Sequence, residues 1–219
     1  ILPPALFSQA ANNNGESFDV TIRHAFLSAL SRLARPDQTL ARVKSDSFEQ
    51  RMLSLLVCRR QDHPHLALFL NDETEEIRKE AVSAIYDTGA LDGPAGKALL
   101  SLNPEDFPFH QQVRLVGAYF RIGSENAAKA LLSTCANHKL GEEVRIFAME
   151  ALLRWSIPMD TDPVLGHYRP TLQSTFSRTD FVSSMGENIR QLVEKEKAPK
   201  LASLLGKFVM EAGISMDPV

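Results

Sequence analysis

Five arginines recur through this chain at one register of a repeated apolar pattern: Arg23, Arg51, Arg78, Arg114 and Arg145, separated by 28, 27, 36 and 31 residues. The pattern is clearest in GEEVRIFAMEALLRW, residues 141–155. There Val144, Phe147, Ala148, Ala151, Leu152 and Trp155 keep the i, i+3, i+4, i+7, i+8 and i+11 spacing of one buried helical face. Gly141 and the acidic pair Glu142 and Glu143 precede it, as suits a helix start. Ile22, Ala25, Phe26, Ala29, Leu30 and Leu33 fit the same template, as do Ile77, Ala81, Ala84 and Ile85, and Val113, Val116, Gly117 and Phe120. Leu53, Ser54, Val57 and Cys58 form a weaker copy, making five.

Between copies lie shorter apolar segments, LALFL from Leu66, AGKALLSL from Ala95 and NAAKALLSTCANH from Asn126, which supply the first helix of each pair. A unit of helix, tight turn and second helix with a period near thirty residues predicts stacking, because neither helix can bury its stripe except against the next unit. Small residues at one template position, Ser54, Ala81, Gly117 and Ala148, let adjacent helices approach closely. The expected fold is all-α: a right-handed α-solenoid of about five helical pairs with a C-terminal helical cap. Its expected division is a mobile segment at 1–17, the repeats at 18–157, a proline-rich loop at 158–170 and the cap at 171–219. The repeat arginines are expected to reach acidic or carbonyl groups at inter-helix turns, as where Asp72 lies just upstream of Arg78.

With 44% hydrophobic and 23% charged residues, a large core is affordable, and the net charge of -3 carries no concentrated basic face for nucleic-acid phosphates. No run is long enough to span a membrane. The opening ILPPALFSQAANNNG has neither an initiator Met nor a basic and apolar leader, and reads as a cut or processed chain. Cys58 and Cys135 are too few for a disulfide framework, and both fall at positions of small buried hydrophobes.

With a turn followed by Glu-Val-Arg at 143–145 or Glu-Ile-Arg at 76–78 and a helix rich in small residues, the copies resemble HEAT repeats of the short bacterial kind over about residues 18–156. After Trp155, the prolines at 158, 163 and 170 stop helix continuation. Trp155, Pro158, Asp162, Val164, Gly166, Tyr168, Arg169 and Pro170 resemble a segment in the HEAT portion of large planctomycete and verrucomicrobial proteins, although Pro163 stands where that family often has arginine. Those proteins join a sorbosone-dehydrogenase-like propeller, HEAT repeats and a haem c module. The resemblance implies a non-catalytic scaffold that spaces redox domains of a larger exported or periplasmic protein. Its expected partners are protein surfaces or neighbouring domains of the same chain, and the expected state is a monomer without nucleic-acid or membrane partners. The alternative, an enzyme on a HEAT scaffold such as a tandem-repeat DNA glycosylase, needs a basic concave groove, against which the net charge speaks.

No residue here is assigned a catalytic, cofactor or metal role. TCANH lacks the second cysteine of a haem c attachment site, and His63 and His65 have no third ligand nearby in sequence. Acids in NDETEE and VEKEK suit first helical turns and solvated faces, and no glycine-rich phosphate loop occurs. The loop at 158–170 is long for a helix connection, and Trp155, Tyr168 and Arg169 are its candidate partner-binding residues. The competing expectation is that Tyr168 packs on Trp155 and only seals the fifth pair. The purified chain is expected to show no haem Soret band and no stoichiometric zinc or iron. One bound metal per chain, lost on replacing His63 and His65, would overturn this.

Overall fold

The computed structural model describes residues 20–171 and 174–216; the expected mobile segment at 1–17 and the side chain of Arg23 lie outside the described residues. The regular structure of the described residues is helical, and among them the one β pairing is an isolated bridge between Thr161 and Tyr168. The chain divides into two compact units, one up to Ala98 and one from Leu99 onward.

The first unit holds α1 (Val20–Leu33), α2 (Pro36–Leu40), α3 (Phe48–Arg60), α4 (Glu75–Thr88) and a short 3₁₀ run, Pro64–Asn71, packed on α3 and α4, and α5 (Pro94–Leu99) ends at the boundary. Helix α3 packs against α1, α2, α4 and the 3₁₀ run. Its start is set by Ser47, whose hydroxyl accepts the Gln50 N–H, and Arg59 and Arg60 fill its last turn, where cations favour the helix dipole. Helix α4 stops at Gly89, which takes the left-handed conformation with φ of 81°. The segment LALFL was expected to be a full first helix. Only nine residues lie between the left-handed Asp62 and the extended Asp72, and after His63 the eight of Pro64–Asn71 wind as a 3₁₀ run that buries Leu66, Phe69 and Leu70. In α5, a Cβ on Gly96 would stand 1.9 Å from the Leu91 carbonyl oxygen, so only glycine lets this helix pass so close to the preceding turn.

The second unit holds a 3₁₀ turn (Pro104–Asp106), α6 (Phe109–Ile122), α7 (Glu125–Ala136), α8 (Glu142–Leu153), α9 (Arg178–Lys195) and α10 (Pro199–Ala212). Helix α8 is central: α6, α7 and α10 all pack on it, while α9 packs on α7 and α10. The template positions Ala148 and Leu152 are fully or almost fully buried, and so are Ser54, Ala81 and Gly117 in the other copies. The template saw one stripe, but the second helices bury two. Val82 and Tyr86 in α4 and Leu115 and Tyr119 in α6 are also buried, because neighbours cover both sides.

The repeat arginines divide. Arg51 is buried, donating from Nε to Asp72 at 2.8 Å, from Nη2 to the Thr74 hydroxyl at 2.8 Å and from Nη1 to the Ser45 carbonyl at 2.8 Å. Arg78 turns instead to main chain, donating to the carbonyls of Asp72 at 2.6 Å and Glu73 at 2.9 Å. The carboxylate of Asp72 thus serves the arginine of the preceding copy, and its carbonyl serves the nearer one. Arg145 is buried as well, donating from Nε to the Cys135 carbonyl at 2.8 Å and from Nη2 to the Glu196 carboxylate. Arg114 donates to the His110 carbonyl at 3.2 Å, within its own helix.

Burial pushes the Glu196 carboxyl up, but the Ala198 and Lys197 N–H groups and Arg145 more than offset this and hold it below the ordinary 4.5. A depressed carboxylate contributes stability that is present above its unfolded pKa and lost as pH falls through the folded one. The melting temperature of Glu196→Gln should therefore fall below that of the parent at pH 7, and the gap should narrow as pH drops below about 4. A gap that does not change with pH would show that the pair adds nothing by ionisation.

Candidate functional site

The segment between α8 and α9 is the longest connection among the described residues, and main-chain pairing folds it into a hairpin. Ser156 leaves α8 with φ of 66°, a conformation that side chains other than glycine rarely adopt. Two arms then run antiparallel: Arg169 N–H donates to the Asp160 carbonyl at 2.8 Å, Thr171 N–H to Met159 at 2.9 Å and Asp162 N–H to His167 at 3.0 Å. The turn closes with the Gly166 N–H on the Asp162 carbonyl at 2.8 Å, and Gly166 sits at φ of 70°.

Asp162 is the node. It is fully buried; its Oδ1 accepts the N–H groups of Val164 at 2.8 Å and Leu165 at 2.9 Å, and its Oδ2 accepts Arg169 Nη1 at 3.1 Å. Arg121 of α6 lies 3.8 Å from the same oxygen and donates to the carbonyls of Arg169 at 3.0 Å and Pro170 at 3.1 Å. A carboxylate taken from water needs such a set of donors, since an unpaired one would cost several kcal/mol. Further on, Gly123 at the end of α6 receives Ser174, whose hydroxyl donates to its carbonyl at 2.6 Å. A Cβ on Gly123 would meet the Ser174 Cα at 2.9 Å, and its φ of 61° adds strain for any other residue.

The three candidate contact residues are separated by this arrangement. Trp155 is 1% exposed, packed edge-on to Phe120 and tilted against Phe181, with its indole N–H donated to the Phe176 carbonyl at 2.8 Å. Its ring belongs to the core and not to the surface. Arg169 is spent on Asp162 and keeps a side-chain exposure of 15%. Tyr168, by contrast, is 77% exposed and does not seal Trp155. Asp162 and Arg121 carry the site and were not singled out as its anchors from sequence. Asp162 and Gly166 stood only within the resemblance; Arg169, which binds the carboxylate, lies in the hairpin itself, and Arg121 reaches it from another helix.

Other motifs resolve as structure. His63 is the N-cap of the 3₁₀ run, its Nδ1 accepting the His65 N–H at 3.3 Å, and desolvation with the nearby His65 lowers its pKa. Burial raises the Cys58 thiol to about 11 and the Cys135 thiol higher still, which keeps both protonated and unreactive. Among the described residues no group of three or more His, Cys, Asp or Glu is placed to hold a metal ion, and no helix is long and apolar enough to cross a membrane. No protein-family model matches the chain, and no curated protein matches it.

What the hairpin offers is a fixed backbone and one projecting aromatic ring. Asp162→Ala should therefore cost about 3 kcal/mol or more, by leaving Arg169 and two turn N–H groups without their acceptor and Arg121 without its ion-pair partner. Tyr168→Ala should change stability by less than about 0.5 kcal/mol. Urea unfolding of both variants checks the pair. Equal losses would mean that Tyr168 is part of the packing.

Proposed function

We propose that this chain is a non-catalytic scaffold, a right-handed α-solenoid of about five HEAT-like helical pairs with a C-terminal helical cap, which uses the hairpin at 158–170 as a contact point for a partner protein or a neighbouring domain. The observation that carries the contact reading is the contrast at the hairpin: its inward groups are fixed by Asp162 and Arg121, while Tyr168 stands 77% exposed. Holding a backbone rigid before binding lowers the entropy lost on association, and tyrosine is enriched at binding hot spots. The solenoid reading is supported inside each unit. Helices α6, α8 and α10 pack in succession, α7 packs on α9, and in the first unit α1, α3 and α4 pack in succession. The sharper form rests on the resemblance of residues 155–170. In it, the chain spaces a dehydrogenase-like propeller from a haem c domain in an exported protein.

The test replaces Tyr168 with a photo-crosslinking amino acid in the producing cells, with Ser183 on the exposed side of α9 as the control position. A discrete adduct to one protein, or to another domain of the same polypeptide, is expected from position 168 alone. Adducts no more specific than those from position 183 would sink the contact reading.

A further inference from the structure

A second surface lies between α7 and α9, where the two helices open into a cleft of about 600 Å³. That volume falls within the range of natural ligand sites, about 300–1,000 Å³. Leu132, Met185 and Leu192 are buried side chains at its base. Ser184, Asn188, Gln191 and Lys195 of α9 follow at successive helical turns along one wall, a stripe about 17 Å long at 1.5 Å per residue. Lys129 and Ser133 stand on the α7 wall, with His138 just beyond its end.

The ionisable groups lining the cleft are Lys129, His138 and Lys195, and none of the described residues that line it is acidic. This basic rim stands out on a chain whose net charge is -3. Lys129 does meet Glu125 at 2.6 Å, but both side chains are about half exposed, and such an i,i+4 surface pair is worth little and is readily exchanged for another carboxylate. The Asn188 amide offers a donor and an acceptor, the complement of an extended main chain, and Gln191, whose Nε2 donates to Glu187 at 3.1 Å, keeps its carbonyl oxygen and a second N–H for the same use.

We infer that the α7–α9 cleft binds an acidic peptide segment of a partner protein, seating apolar side chains on Leu132, Met185 and Leu192 and acidic ones against Lys129, Lys195 and His138. The cleft is separate from the hairpin, so its occupancy does not depend on Tyr168. Opposite charge on the rim steers encounter, and the apolar base holds what arrives.

The test titrates the 219-residue chain into a fluorescein-labelled twelve-residue peptide of alternating leucine and glutamate, and into its lysine counterpart, at about 50 mM salt. Anisotropy should report binding of the glutamate peptide and none of the lysine one. The double variant Lys129→Glu, Lys195→Glu should weaken it roughly tenfold, as two exposed attractions become repulsions, while the chain stays folded with a melting temperature lowered by only a few degrees. Lys97→Glu with Lys200→Glu alters net charge equally, on lysines outside the cleft, and should leave binding within about twofold. The milder Lys129→Gln, Lys195→Gln pair should fall between. No binding of the glutamate peptide, equal binding of both peptides, or equal loss in both glutamate double variants would overturn the inference.

Discussion

Three buried carboxylates fix the connections of this fold, and each is satisfied in the same way. Asp72 accepts the Thr74 N–H and the Arg51 guanidinium, Glu196 accepts the Ala198 and Lys197 N–H groups and Arg145, and Asp162 accepts the Val164 and Leu165 N–H groups and Arg169. In every case the main chain of the carboxylate's own turn supplies part of the donor set. An arginine elsewhere supplies the rest. A buried ion pair adds little net stability over an apolar replacement, but removing one partner costs about 3–5 kcal/mol. The consequence is specificity: each turn has one conformation in which its carboxylate can be buried, and that conformation needs a particular arginine in place.

This matters because helical pairs that touch mainly their neighbours have few long-range contacts to hold them in register. Apolar stripes alone tolerate sliding and rotation, whereas a guanidinium fork meeting a carboxylate does not. In the second unit the polar device is joined by an apolar one. Phe120, Trp155, Phe181 and Phe208 form a chain of rings with neighbouring centroids 6.4, 6.5 and 5.7 Å apart, drawn from α6, the end of α8, α9 and α10. Trp155 sits second in that chain, and its indole N–H on the Phe176 carbonyl ties the segment leaving the hairpin to the same core.

The periodic part of this structure was legible in the residues, and the reasons are local. Stripe spacing and small template residues act within a helix, so Ala148 and Ser54 could be read without knowing what they touch. Partner choice could not. Asp72 stands six residues from Arg78 and twenty-one from Arg51, and the nearer arginine takes only its carbonyl. Asp162 was visible inside a resemblance but not as a buried node, since its burial depends on Arg121, which belongs to a different helix. The second stripe on α4 and α6 escaped a one-face template for the same reason: it exists only because neighbours pack on both sides. Trp155 shows the opposite error, a residue type common at interfaces that is here consumed by the core.

The hairpin and the cleft are surfaces of different kinds. At Ser156 the backbone takes a left-handed turn, and among the described residues its buried hydroxyl finds no hydrogen-bond partner. Both features cost free energy, of order 1–3 kcal/mol for the backbone alone. They persist because Trp155 on one side and the Met159–Thr171 pairing on the other leave the chain no other route. A segment so over-determined presents Tyr168 in a single pose, which suits recognition by shape. The cleft has the reverse character: a base of buried apolar side chains under a rim of exposed lysines would suit recognition by charge and composition, with little demand on a partner's conformation. In the proposed scaffold the hairpin would hold one partner rigidly and the cleft would gather another loosely, and the two contacts would differ in salt dependence because only the cleft would rely on exposed charge.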